Sequence, residues 1–218
     1  MTLNEPNSSE FTTSHAVLDG YLDGERRLQA VSGLRTYFCG TRYAGRRFEN
    51  IAGRGDAASV ANRITAADLV ALPLLSIGLD RPQLVIDILE THAEEIEGLL
   101  SSIPADSDIG HVAWSALDES SPAQKLYSLL RSVHGVGPTT ASKLLARKRP
   151  HLFPIDDDLV RQRLGRDRGL WACWWTWLRE ENRQRAVADL RDEVGGIADI
   201  SSLRVMDVAV WMSVRAGR

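Results

Sequence analysis

The stretch Val133-His134-Gly135-Val136-Gly137-Pro138-Thr139-Thr140-Ala141 leaves the backbone few options. Gly135 and Gly137 permit positive φ and the close approach of another chain. Pro138 suits the first position of a helix, where a missing N–H costs nothing. A tight turn entering a helix is therefore predicted. Upstream, Ser121 and Pro122 open a segment with Leu126, Leu129, Leu130 and Val133 at helical spacing; downstream, Ala141, Leu144 and Leu145 share an apolar face. The unit reads as helix, hairpin, helix over residues 122–149. The first amides of the second helix have no intrahelical partner, and its macrodipole adds about half a positive charge at that end. Such a turn is suited to hold a phosphate. The candidate contacts are His134, Gly135, Val136, Gly137, Thr139 and Thr140, with Lys143, Arg147 and Lys148 as auxiliary cationic donors. His134 is read either as a phosphate contact or as a polar surface residue of the turn.

A second candidate follows at Pro154-Ile155-Asp156-Asp157-Asp158. Adjacent carboxylates after a proline are good material for a helix N-cap. A carboxylate in such a place also has the chemistry to stabilise developing positive charge or to activate water. No further ligands accompany the carboxylates, so no metal is expected.

Residues 133–141 resemble the hairpin of helix-hairpin-helix DNA repair proteins, and residues 133–161 resemble the matching part of the helix-hairpin-helix DNA glycosylase superfamily. In that superfamily the hairpin is followed by aliphatic-Asp-x-x-aliphatic-x-Arg, whose Asp is catalytic; Ile155 to Arg161 has this pattern and Asp156 is the matching residue. Residues 65–78 also look like an early core helix of that fold. The resemblance implies an all-α protein related to the glycosylase core that binds DNA, duplex by expectation, through its backbone without reading sequence, in DNA repair or maintenance. It implies as an alternative a monofunctional glycosylase that excises a damaged base using Asp156. A third reading is a structural or protein-interaction module whose hairpin only packs two helices. The departures are informative. His134 replaces the usual Pro before the first glycine, which the glycine-based geometry tolerates. Thr139 stands where bifunctional members carry a Schiff-base Lys, so a lyase is not expected. Cys39 and Cys173 are too few for a four-thiolate cluster, and no cofactor is expected. The chain also resembles a family of actinobacterial proteins of unknown function.

Charge is ordinary in total and uneven in distribution. The net charge of -3, with 44% hydrophobic and 25% charged residues, describes a soluble globular chain. Residues 26–63 carry eight arginines against Glu49 and Asp56, and residues 125–149 carry six basic residues and no acid. Between Asp80 and Glu119 the balance reverses: Arg81 opposes ten acids, a run predicted to face away from DNA. Within the basic region, Tyr37, Phe38, Tyr43 and Phe48 interleave with Arg35, Arg42, Arg46 and Arg47. That offers stacking faces beside phosphate donors, or equally aromatics packed on the core beneath solvated arginines. The same stretch has the glycine spacing of a P-loop, but Arg46 and Arg47 replace its Lys and Ser/Thr, which rejects nucleotide hydrolysis.

The remaining chain reads as helix without alternating strands. Residues 1–14 are predicted to be a disordered tail, and residues 15–218 a single helical domain. Thr65 to Asp68 reads as a capping box with Ile64 and Leu69 as a staple, opening a helix disturbed at Pro73. A surface helix is expected over residues 81–100, and a last helix over 202–214 with Leu203, Met206, Val210 and Val214 on one stripe. Trp171, Trp174, Trp175 and Leu178 share one helical face, with Trp177 off it. The cluster is read as packing, or as a wedge beside an extruded base. The cysteine usage, the polar N-terminus and the lack of an apolar span predict a cytoplasmic protein with no membrane partner.

Overall fold

A computed structural model describes residues 5–165 and 169–216, with no side-chain description at residue 216. Among the described residues the secondary structure is entirely helical, as the absence of alternating apolar runs requires. The helices are α1 (Thr12–Asp19), α2 (Gly24–Leu34), α3 (Ala66–Ala71), α4 (Pro82–Ile86), α5 (Ala93–Ser101) and α6 (Pro122–Ser132). They continue with α7 (Pro138–Lys148), α8 (Asp158–Leu164), α9 (Leu170–Leu178), α10 (Glu181–Val194) and α11 (Ser202–Ala216). The expected single domain divides into two compact units.

The first unit comprises Arg47–Asp108 and Val112–Phe153. Its α3 starts where the sequence places it: Thr65 is the N-cap, and the Asp68 carboxylate reaches back to accept from the Thr65 N–H at 2.8 Å. Pro73 then tightens the chain into a 3₁₀ turn, Leu72–Leu75. The helix expected over 81–100 is interrupted, because the backbone passes through a π turn at Asp87–Thr91 and leaves helical geometry at His92 before α5 begins. The α6 and α7 helices carry the core with Leu126, Leu130, Ala141, Leu144 and Leu145, all at most 1% exposed.

Around α7 the packing departs from the amphipathic expectation, since every residue from Thr140 to Arg149 is buried. Its basic end forms a polar knot. Arg147 and Lys148 both pair with Asp68, at 3.2 and 2.9 Å, with all three side chains about 1% exposed. Arg147 also donates to the carbonyls of Phe48, Ile51 and Gly53. Arg149 donates to the carbonyls of Ala61, Leu100 and Ile103 and to Asn62 Oδ1. Residues 48–62 make few backbone bonds of their own, so these guanidiniums satisfy carbonyls that a helix or sheet would otherwise pair. Gly55 packs so close that a Cβ there would lie 2.5 Å from the Arg147 carbonyl oxygen and 2.7 Å from Asp68 Oδ1. Burial pushes the Lys148 ammonium below its ordinary 10.5, and the Asp68 carboxylate draws it part of the way back.

The second unit comprises residues 5–46, Ile109–His111, 154–165 and 169–216. Of the tail predicted over 1–14, residues 1–4 lie outside the described residues, and the described part departs from the expectation: a 3₁₀ turn, Ser8–Phe11, leads straight into α1, with Phe11 and Ser14 buried and Ser14 Oγ donating to the Leu164 carbonyl at 2.8 Å. The polar composition concealed a short segment anchored by one aromatic ring. Helix α9 lies in the core, with Trp174, Trp175 and Trp177 at most 3% exposed. Trp177, off the predicted face, is fully buried and donates from Nε1 to Asp19 at 2.8 Å, because α9 is covered all round. Leu203, Met206 and Val210 of α11 are buried on the predicted stripe, while Val214 is half-buried.

Candidate functional site

Between α6 and α7 the chain turns within five residues. Val136 N–H donates to the Val133 carbonyl at 3.0 Å, closing a turn over His134 and Gly135. Gly135 sits at φ +95°, where a side chain is strained. Val133 and Val136, each 4% exposed, pin the two sides of the turn to the core, while His134 and Gly135 face solvent. Gly137 is the N-cap and Pro138 the first residue of α7; the first intrahelical bond runs from Ala141 N–H to the Gly137 carbonyl at 3.0 Å. Consequently the amides of Gly135, Gly137, Thr139 and Thr140 find no acceptor among the described residues.

Two guanidiniums that the sequence reading left out border this turn. Arg81, exposed at the N-cap of α4, places Nη1 2.9 Å from each ring nitrogen of His134. Its Cδ lies 3.0 Å from where a Gly135 Cβ would be. Arg131, exposed in the last turn of α6, donates to the Val136 carbonyl at 3.2 Å. Arg81 heads the acidic run that was expected to face away from DNA, and that run begins against the turn, with Asp80 exposed beside Arg81 in the chain. Nothing in the sequence pattern marks Arg81. Arg131 was visible only as part of the acid-free stretch 125–149.

The auxiliary donors are a correction. Lys143, Arg147 and Lys148 are 4%, 3% and 0% exposed, and each spends its charge inside the protein. Lys143 donates from Nζ to the Leu75 carbonyl at 2.7 Å, and the other two belong to the knot at Asp68. None of the three stands at the surface to meet a phosphate. The side chains of Val136 and Thr140 are likewise buried, so these residues offer backbone alone.

The other candidates lie in different surroundings. Asp156, in the second unit, pairs with Arg161 at 3.1 Å, and Asp158 pairs with the same guanidinium. Capping falls to Asp157, whose side chain accepts from Leu159 N–H at 3.0 Å. The carboxylate that matches the glycosylase aspartate is thus held by an arginine four residues C-terminal to its own cap residue. Arg42 and Arg47 are exposed and Arg46 is half-buried, with the Arg42 guanidinium 5.6 Å above the Tyr43 ring. Of the interleaved aromatics, Tyr37 and Phe48 are core residues, while Phe38 and Tyr43 are half-buried. Core packing therefore accounts for Tyr37 and Phe48, and Phe38 and Tyr43 are left partly open to solvent. Cys39 and Cys173 are free thiols, and among the described residues no three His, Cys, Asp or Glu side chains gather as metal ligands would. No helix among the described residues is long and apolar enough to cross a membrane.

Residues 30–214 match the model of a family of unknown function, DUF6308, and the chain belongs to that family. No curated protein and no solved structure matches it.

Proposed function

We propose that this protein binds the phosphate backbone of DNA through residues 134–140, without reading base sequence. The observation that supports this most is the set of four unpaired amides at Gly135, Gly137, Thr139 and Thr140, opening an eleven-residue helix. Backbone amides at a helix start favour an anion by direct hydrogen bonding and by the dipole. The guanidiniums of Arg81 and Arg131, both exposed at the rim, take the part first given to Lys143, Arg147 and Lys148. Contacts of this kind position a protein on a duplex and carry no sequence information. With two exposed cations in place of the three first named, the dependence of log K on log salt has a slope of about -2. Base excision by Asp156, which pairs with Arg161 at 3.1 Å, lies outside this proposal.

Fluorescence anisotropy of a labelled duplex of about 20 base pairs, at about 50 mM salt, tests the proposal. The wild type binds independently of sequence. The Arg81→Glu/Arg131→Glu double variant, which changes only exposed side chains, loses at least about tenfold in affinity. Absence of wild-type binding at that salt, or equal affinity of the double variant, overturns the proposal.

A further inference from the structure

The second unit carries an aromatic platform that the hairpin reading does not use. Tyr37 and Tyr43 stack with centroids 5.3 Å apart, and Trp211 of α11 meets both edge-on, at 6.0 and 5.6 Å. Tyr37 lies in the core at 4% exposure, whereas Tyr43 and Trp211 are half-buried and reach solvent. The platform is rigid from beneath. Arg204, 8% exposed, donates to the Tyr37 hydroxyl at 2.7 Å, pairs with Asp207 at 2.6 Å and lies 5.4 Å from the Tyr37 ring centroid. The same guanidinium reaches the Gly45 carbonyl at 3.5 Å, which ties the loop carrying Tyr43 to α11.

The rim is cationic. Arg42 stands 5.6 Å over Tyr43 and Arg215 stands 4.9 Å over Trp211, and both are exposed. Residues 26–48 contain six arginines and no acid. Two partly open rings flanked by exposed guanidiniums match two features of an unpaired strand. Its bases offer free faces to stack on rings or on guanidiniums, and its phosphates offer charge to the arginines. A duplex offers only the second, since its bases are already stacked. An acidic peptide also offers only the second.

We infer that Tyr43 and Trp211, with Arg42 and Arg215, form a binding surface for single-stranded nucleic acid, separate in its chemistry from the hairpin turn. The inference stands on the second unit alone and does not need the hairpin to bind.

Anisotropy with a labelled 20-nucleotide oligothymidylate, competed by the same length of duplex and by polyglutamate, tests it. Trp211→Ala and Tyr43→Ala each weaken single-strand binding by about tenfold or more, the loss expected when a stacking ring is removed. Trp211→Phe retains most of it. Arg42→Gln/Arg215→Gln, at two exposed positions, weakens binding with circular dichroism unchanged, which keeps the test valid if Trp211→Ala is unstable. The Arg81→Glu/Arg131→Glu variant retains single-strand affinity, so failure of the hairpin proposal is read separately. Equal single-strand affinity in wild type and both ring variants, or competition by polyglutamate as strong as by oligothymidylate, overturns the inference.

Discussion

Replacing Asp68 by Asn keeps the shape of a buried side chain and removes the one carboxylate that, among the described residues, pairs with Arg147 and Lys148. Both cations are about 1% exposed and neither can turn to water. Arg147 retains three backbone carbonyls, but Lys148 donates to Asp68 alone among the described hydrogen bonds, so the stranded charge is chiefly the ammonium. Breaking a buried pair in this way costs about 3 to 5 kcal/mol, against a total of about 5 to 15 for a folded domain. At about 1.4 kcal/mol per decade, that loss raises the exchange rate of α7 amides that open only by unfolding of their unit by about 140- to 3700-fold. Hydrogen exchange read by mass spectrometry on a peptide from α7 measures it. Adding Lys148→Met to Asp68→Asn removes the orphaned charge and returns part of the protection, the non-additivity expected of contacting residues. An Asp68→Asn variant within about 0.5 kcal/mol of wild type would refute the view that this ion cluster holds the first unit together.

Two further outcomes follow from particular side chains. His15 is 4% exposed, and burial lowers its pKa below the ordinary 6.5, with the Cys173 carbonyl opposing and Arg183 adding to the lowering. The unfolded chain therefore takes up this proton first as pH falls, and stability is lost from about pH 6.5 down through the lowered value; urea titrations at pH 7.5 and 5 show this loss, and His15→Gln reduces it. Gly135→Ala puts a methyl at φ +95° and 3.0 Å from Arg81 Cδ, so thermal unfolding should register a cost of about 1 to 3 kcal/mol, whereas Gly53→Ala, with positive φ but open space, costs only its backbone share.

What the sequence disclosed was local. The start of α3 was legible because Thr65 and Asp68 carry their own hydrogen-bond logic, and the position of the turn before α7 because Gly135, Gly137 and Pro138 restrict the backbone directly. The tail was misjudged because one Phe11 ring outweighs several polar neighbours once it finds a core. The fate of Lys143, Arg147 and Lys148 was hidden for a different reason. Basic side chains are rarely buried, and what draws these inside is Asp68, about 80 residues earlier, together with carbonyls of a segment that builds no regular structure. Arg81 was invisible for the converse reason: its neighbours in sequence are acidic, and its neighbours in space are His134 and Gly135. Trp177 fell off the predicted stripe because a helix covered on every side has no polar face to define one.

The guanidiniums that gather the carbonyls of residues 48–62 impose an order of events on synthesis. Arg147 and Arg149 lie 87 to 99 positions downstream of the groups they bind there. While the ribosome is still making the intervening chain, that segment has no template and must wait, solvated, until residue 149 has emerged. Chains that end before that point leave it open to proteases.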